Sequence, residues 1–131
     1  MLKKILLVDD EKNVRELVRA TLETEEYVLF EALDGLEAVE LARREVPDVM
    51  VMDWMMPRMN GIEATRAIRS SPRTAAIPVI LLTARSQAED FAAGKAAGVN
   101  AYLVKPFSPF ELLERVESLL QEDRVVPNRD G

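Results

Sequence analysis

Five side chains have the types that phosphorus chemistry needs, and each follows a short apolar run. Asp9 and Asp10 come after I-L-L-V, Asp53 after V-M-V-M, Thr83 after V-I-L-L, and Lys105 after A-Y-L-V. If those runs are neighbouring strands, three carboxylates, a hydroxyl and one ammonium gather at one rim. Two carboxylates ~5 Å apart repel by about 3 kcal/mol at an effective dielectric near 20, so three together are strongly unfavourable without a cation. Lys105 offsets only part of this. A hard divalent ion with oxygen ligands is the natural complement, and one or two carboxylates with waters and a phosphate suit Mg²⁺ better than Ca²⁺. Once the charge of an incoming phosphate is neutralised, one carboxylate can attack phosphorus as a nucleophile. Asp53 is the choice, because it ends a central apolar run with Asp9 and Asp10 to one side and Thr83 and Lys105 to the other.

The elements that must position these residues are legible in the hydrophobic pattern. Strands are expected at 4–8, 27–31, 49–52, 79–82 and 101–104, and four of these runs are nearly all apolar, as strands covered on both faces should be. The second, Y-V-L-F-E, runs straight into polar residues and reads as an edge. Between them lie helices whose starts carry an N-cap residue three positions before a Glu: Asp34 and Glu37, Asn60 and Glu63, Ser86 and Glu89, Ser108 and Glu111. Pro109 adds the favoured first-turn proline. Val14, Leu17, Val18, Thr21 and Leu22 form one helical stripe, and Leu112, Leu113, Val116, Leu119 and Leu120 another. Strict alternation with right-handed crossovers predicts an α/β fold, a doubly wound five-stranded parallel sheet in the order 2-1-3-4-5 of the flavodoxin-like kind. Its working crevice lies outside the carboxyl ends of the strands, where the order reverses between strands 1 and 3.

Composition narrows the function classes. A chain of 131 residues with 48% hydrophobic and 31% charged side chains fits one domain with a real core. Seventeen basic against 23 acidic residues leave a formal charge of −6, which lacks the electrostatic footprint of a direct nucleic-acid binder. With neither Cys nor His, the chain has no disulfide, no thiolate or imidazole metal site and no Ser-His triad. The four-residue apolar run before Asp9 is too short for an export signal, and nothing approaches the ~20 apolar residues of a membrane span. A soluble, cytoplasmic protein is expected, with its domain at 1–121 and a tail or linker start at 122–131.

The segments L-L-V-D-D, V-M-D-W-M-M-P-R-M-N-G, L-L-T-A and Y-L-V-K-P-F, in that order across residues 3–120, resemble the receiver domain of two-component response regulators, the CheY-like kind. The resemblance implies a phosphorylation-controlled switch rather than a metabolic enzyme. Asp53 would take a phosphoryl group from a phosphohistidine on a sensor histidine kinase or phosphotransfer protein. Asp10, Asp53 and the Met55 carbonyl would ligate Mg²⁺, with Asp9 acting largely through water. Lys105 would pair with Asp53 and then with a phosphate oxygen, Thr83 would bond another, and Tyr102 would be the aromatic that turns inward when Thr83 moves. Lys105-Pro106 would be cis, and the signal would leave through the face of the fourth helix, fifth strand and fifth helix.

Family members tune phosphate lifetime at the positions held here by Met55 and Arg85; Met55 cannot hydrogen-bond an attacking water, which implies slow self-dephosphorylation. Receivers fused to winged-helix output domains carry an acidic pair and an Arg for dimer formation, where this chain has Asn100, Ala101 and Phe110. A monomer or weak dimer is therefore expected, with an output partner or fused output domain left open. Met50, Met52, Met55, Met56 and Met59 read as core filler and loop packing. The main rival is a haloacid-dehalogenase-type Mg²⁺-dependent phosphatase, which needs Asp-x-Asp where this chain has Asp9-Asp10-Glu11. A flavodoxin-like FMN module would need a Ser/Thr/Gly-rich phosphate loop in place of D-D-E-K-N, and a pseudo-receiver scaffold would not keep the whole acid, Thr and Lys set.

Overall fold

Apolar runs that bury both faces have one solution, a sheet between two helical layers, and the chain adopts it. The computed structural model describes residues 2–125. The strands are β1 (Lys3–Val8), β2 (Tyr27–Ala32), β3 (Val49–Asp53), β4 (Val79–Thr83) and β5 (Ala101–Val104), and they alternate with α1 (Lys12–Leu22), α2 (Gly35–Glu45), α3 (Gly61–Arg69), α4 (Ala88–Ala97) and α5 (Pro109–Val125). The sheet order is β2-β1-β3-β4-β5, all parallel, as expected. β2 is an edge, which explains why only its last residue is fully buried.

Alternation along each strand divides the core in two. Ile5, Leu7, Val49, Val51, Ile80, Leu82 and Leu103 pack with Val18 and Leu22 of α1 and with Leu112, Val116, Leu119 and Leu120 of α5. Leu6, Val8, Met50, Met52 and Val79 face Ala38, Val39 and Ala42 of α2 and Ala64 and Ile68 of α3. Leu82, at 2% exposure, sits one residue before the predicted site hydroxyl. Truncating such a side chain to Ala typically costs 2–5 kcal/mol, so the core and the site rim are mechanically one object.

The helix starts follow from their caps, with two departures. Asp34 accepts the Glu37 amide at 2.9 Å, and Asn60 and Glu63 form a reciprocal capping box. The Ser108 hydroxyl accepts from the Phe110 amide, while Glu111 takes the Ser108 amide. The start expected at Ser86 falls one residue later: Gln87 is the N-cap, and its amide donates to Asp90 at 3.0 Å. The spacing rule holds there with Asp90 in place of Glu89. The α1 stripe is narrower than expected, because Leu17 is 49% exposed and only Val18 and Leu22 are buried. α5 stays helical to Val125, and the rest of the tail expected from 122 lies outside the described residues.

Candidate functional site

The parallel register brings the five predicted residues to one rim. β1 pairs with β3 through Val8 and Met52, so Asp9 and Asp53 follow neighbouring residues; Asp53 then pairs with Leu82, and Thr83 with Val104, one residue before Lys105. One oxygen from each of Asp9, Asp10 and Asp53 lies within 4.8 Å of the others. The Lys105 ammonium stands 3.4 Å from Asp9 Oδ2 and 3.6 Å from Asp53 Oδ1. The lysine expected to pair with Asp53 is thus shared, and it lies slightly nearer Asp9. Its bond to Pro106 is cis, as the resemblance implied.

Charge is held here under strain. Asp9 and Asp53 are buried while Asp10 is exposed, so the cluster opens to solvent on one side. Burial pushes the Asp53 carboxyl up to about 6, with the Asp9 charge adding to the rise and Lys105 and the Trp54 amide opposing it. Asp9 is also raised by burial, despite the amide of Glu11 at 2.8 Å and the Lys105 ammonium. The Glu11 contact makes Asp9 a local turn residue before α1 as well as a member of the cluster. The Trp54 amide at 2.8 Å and the Lys105 ammonium both meet Asp53 on Oδ1, and among the described residues Oδ2 takes no hydrogen bond. An oxygen-only donor set of this charge, open to water through Asp10, fits a hard divalent cation that keeps part of its hydration shell.

Around this cluster the structure adds contacts that spacing alone did not reveal. Thr83, 1% exposed, accepts the Arg85 amide on its hydroxyl at 3.2 Å. The Arg85 guanidinium lies 4.4 Å above the Trp54 ring and bonds Asp90 Oδ1 at 2.8 and 3.0 Å. Asp90 is a buried acid on an Ala-rich helix, and neither its burial nor its ion pair follows from periodicity. The Tyr102 hydroxyl donates to the Arg85 carbonyl at 3.0 Å, and its ring meets Phe91 edge-on at 4.6 Å. Met55 is not packing filler as expected: it is 56% exposed and its Sδ lies 3.9 Å from Arg85 Nη1. Met50 and Met52 are fully buried, and Met56 and Met59 pack against the α2–α3 side of the core.

Comparison with known proteins gives one answer. A family model for the response regulator receiver domain matches residues 5–117. The chain is 40% identical over 121 residues to the phosphate regulon transcriptional regulatory protein PhoB of Rhizobium meliloti, covering 92% of this chain and 53% of that one. It is 42% identical over 121 residues to response regulator MprA of Mycobacterium leprae, covering 92% and 52%. The chain therefore spans about half the length of these curated relatives. Among solved structures it is similar to chemotaxis response regulator CheY4 of Vibrio cholerae, with a TM-score of 0.84 and 35% identity over 91% of this chain and 99% of that one. It is equally similar to the receiver domain of sensor histidine kinase PA1611 of Pseudomonas aeruginosa, solved with magnesium coordinated in its active site cleft: TM-score 0.84, 33% identity, 92% and 99% covered.

Proposed function

The chain belongs to the response regulator receiver domain family, and from that premise we propose that Asp53 is its phosphoacceptor and that the domain catalyses its own phosphorylation. The observation that carries this reading is the meeting of three carboxylates within 4.8 Å under a single shared lysine. Asp53 Oδ2 attacks the phosphorus of a phosphohistidine presented by a histidine kinase or phosphotransfer protein. The phosphorus–nitrogen bond breaks, and its electron pair leaves with the imidazole. Asp10, Asp53 and the Met55 carbonyl would hold Mg²⁺, with Asp9 assisting, and the ion would supply neutralising charge for the phosphoryl oxygens. Lys105 exchanges its carboxylate contact for a phosphoryl oxygen, and Thr83 donates to another. Two charge-assisted hydrogen bonds, at roughly 1.5–3 kcal/mol each, cover much of the ~5.5 kcal/mol needed to invert a 1:99 equilibrium.

The response passes through Thr83 and Tyr102 to the face of α4, β5 and α5, and there it controls a partner or a fused output domain. The part-length match to PhoB and MprA supports a fused output. A cytoplasmic site of action agrees with a phosphohistidine donor, and among the described residues no helix is long and apolar enough to cross a membrane. The family match displaces the phosphatase reading. The test is incubation with Mg²⁺ and acetyl phosphate followed by peptide mapping: one phosphoryl mass on the Asp53 peptide is expected, and none on Asp53→Asn. Phosphate on another residue, or no phosphate at all on wild type, overturns the assignment.

A further inference from the structure

Between α2 and α3 runs a groove of about 580 Å³ with an apolar floor that includes Val39 and Met59, and Leu36 stands beside it 44% exposed. Arg43 and Arg44 of α2 and Arg73 of the segment after α3 line its other end, and Glu40 is the one acid among its lining residues. Arg73 Nε donates to the Arg43 carbonyl at 2.6 Å, which ties the two walls together. Among the described residues neither Arg43 nor Arg73 is in an ion pair, and Arg44 meets only its chain neighbour Glu45, at 3.6 Å. A helix C-terminus favours cations in its last turn, which accounts for Arg43 and Arg44 but not for Arg73 or the bare Leu36. In a chain of net charge −6, this is a local excess of positive charge beside apolar surface.

The complement to this groove lies on α5. Phe110, 84% exposed, is followed at i+4, i+7 and i+11 by Glu114, Glu117 and Gln121, all exposed, which makes one stripe along the helix. Glu111 and Arg115 point about 100–140° away from it around the axis. A single exposed aromatic needs no explanation, but one aligned with acids at the spacing of a groove does. Phe110 to Glu117 spans roughly 10 Å of helix, and so does Leu36 to Arg43. With the two helices side by side and pointing the same way, Phe110 covers Leu36 and Met59 while Glu117 reaches Arg43 and Arg73. α5 packs on the opposite face of the sheet from α2 and α3, so it cannot reach the groove of its own chain. We propose that the α2–α3 groove is a docking site for α5 of a second copy of this chain, a contact between two different surfaces.

Sedimentation velocity from about 10 µM to about 1 mM, the weak end of specific affinities, reads the association. Wild type self-associates reversibly, and about tenfold more weakly when NaCl rises from about 0.05 M to about 0.5 M, because the ion pairs are screened. Phe110→Ala, and Arg43→Glu paired with Arg44→Glu, each weaken it about tenfold or more, at exposed positions that leave the melting temperature within a few degrees of wild type. Glu40→Gln removes the acid that this alignment sets level with Glu114, and tightens association about threefold. Mixing decides the pairing. The Phe110→Ala protein keeps its groove and the arginine-reversed protein keeps its α5 stripe, so the two form a one-to-one complex at concentrations where each alone is monomeric. A wild type that stays monomeric throughout, association that neither salt nor these variants change, or a mixture no more associated than its parts overturns the proposal. Association lost with Phe110→Ala alone, as in an α5–α5 pair, overturns it too. None of these outcomes alters the role of Asp53.

Discussion

At the carboxyl rim of the sheet, Lys105 is shared between Asp9 at 3.4 Å and Asp53 at 3.6 Å, with Asp10 beside them, and the carboxyl of Asp53 is pushed up to about 6. At the amino rim, under β4 and β5, Arg69 is handled in the opposite way. Its guanidinium makes five hydrogen bonds: two to the Gly98 carbonyl, one each to the carbonyls of Ala75 and Ile77, and one to Asn100 Oδ1. Asn100 Oδ1 also takes the Val79 amide at 2.8 Å, so the start of β4 and the end of α4 are locked through one cation. The left-handed Gly98, φ 102°, leaves the room that Arg69 fills; a Cβ there would lie 2.9 Å from its Nε. A cation whose donors are satisfied by backbone carbonyls holds a fold, whereas anions in excess of their cation are held for something that arrives later.

Breaking the satisfied rim should have the largest effect on stability. Arg69→Met strips Gly98, Ala75 and Ile77 of their shared donor and should cost about 3 kcal/mol, lowering the melting temperature by roughly 10 °C. Phosphorylation measured well below that temperature should remain. The opposite sign is expected at the other rim: Asp53→Asn should stabilise the Mg²⁺-free protein by about 1–2 kcal/mol at pH 7 in urea unfolding, by removing a buried and repelled charge.

These two rims were not equally legible in the sequence. Asp9, Asp10, Asp53, Thr83 and Lys105 could be placed because each ends an apolar run, and parallel strands align their ends. Arg69 could not, because four of its five bonds go to main-chain carbonyls, which no residue type advertises. Asn100 stood out only for what it was not, an acid at a dimer-forming position. Its structural work as a double acceptor lies in the turn before β5, and periodicity says nothing about turns. Leu17 was misplaced because helical spacing marks the centre of a buried stripe better than its width. Asp90 sits one position past the glutamate the spacing favoured and becomes visible only with Arg85 packed against it.

Smaller effects sharpen the contrast. Asn100→Ala should cost about 1 kcal/mol, since Arg69 keeps four of its five bonds and the Val79 amide loses its acceptor. The pH dependence should also separate the rims. Asp53 has a carboxyl raised above its unfolded value of 3.8, so between about pH 4 and 6 the folded state holds a proton that the unfolded chain has released. Stability from this group is present at low pH and lost as pH rises through about 6. Mg²⁺-free wild type should therefore gain about 1 kcal/mol in urea unfolding between pH 7.5 and 5.5, and Asp53→Asn should lose most of that gain.

The most direct test of the account is a Mg²⁺ titration followed by thermal unfolding at pH 7.5, comparing wild type with Asp53→Asn. An ion that binds only the folded, crowded carboxylates raises the melting temperature in proportion to the logarithm of its concentration once above its Kd. Wild type should begin lower than the variant, climb with Mg²⁺ and meet or pass it, while the variant hardly responds. A wild type indifferent to Mg²⁺, or a variant that climbs in parallel, would contradict the claim that this rim keeps its negative charge for a metal and a phosphoryl group.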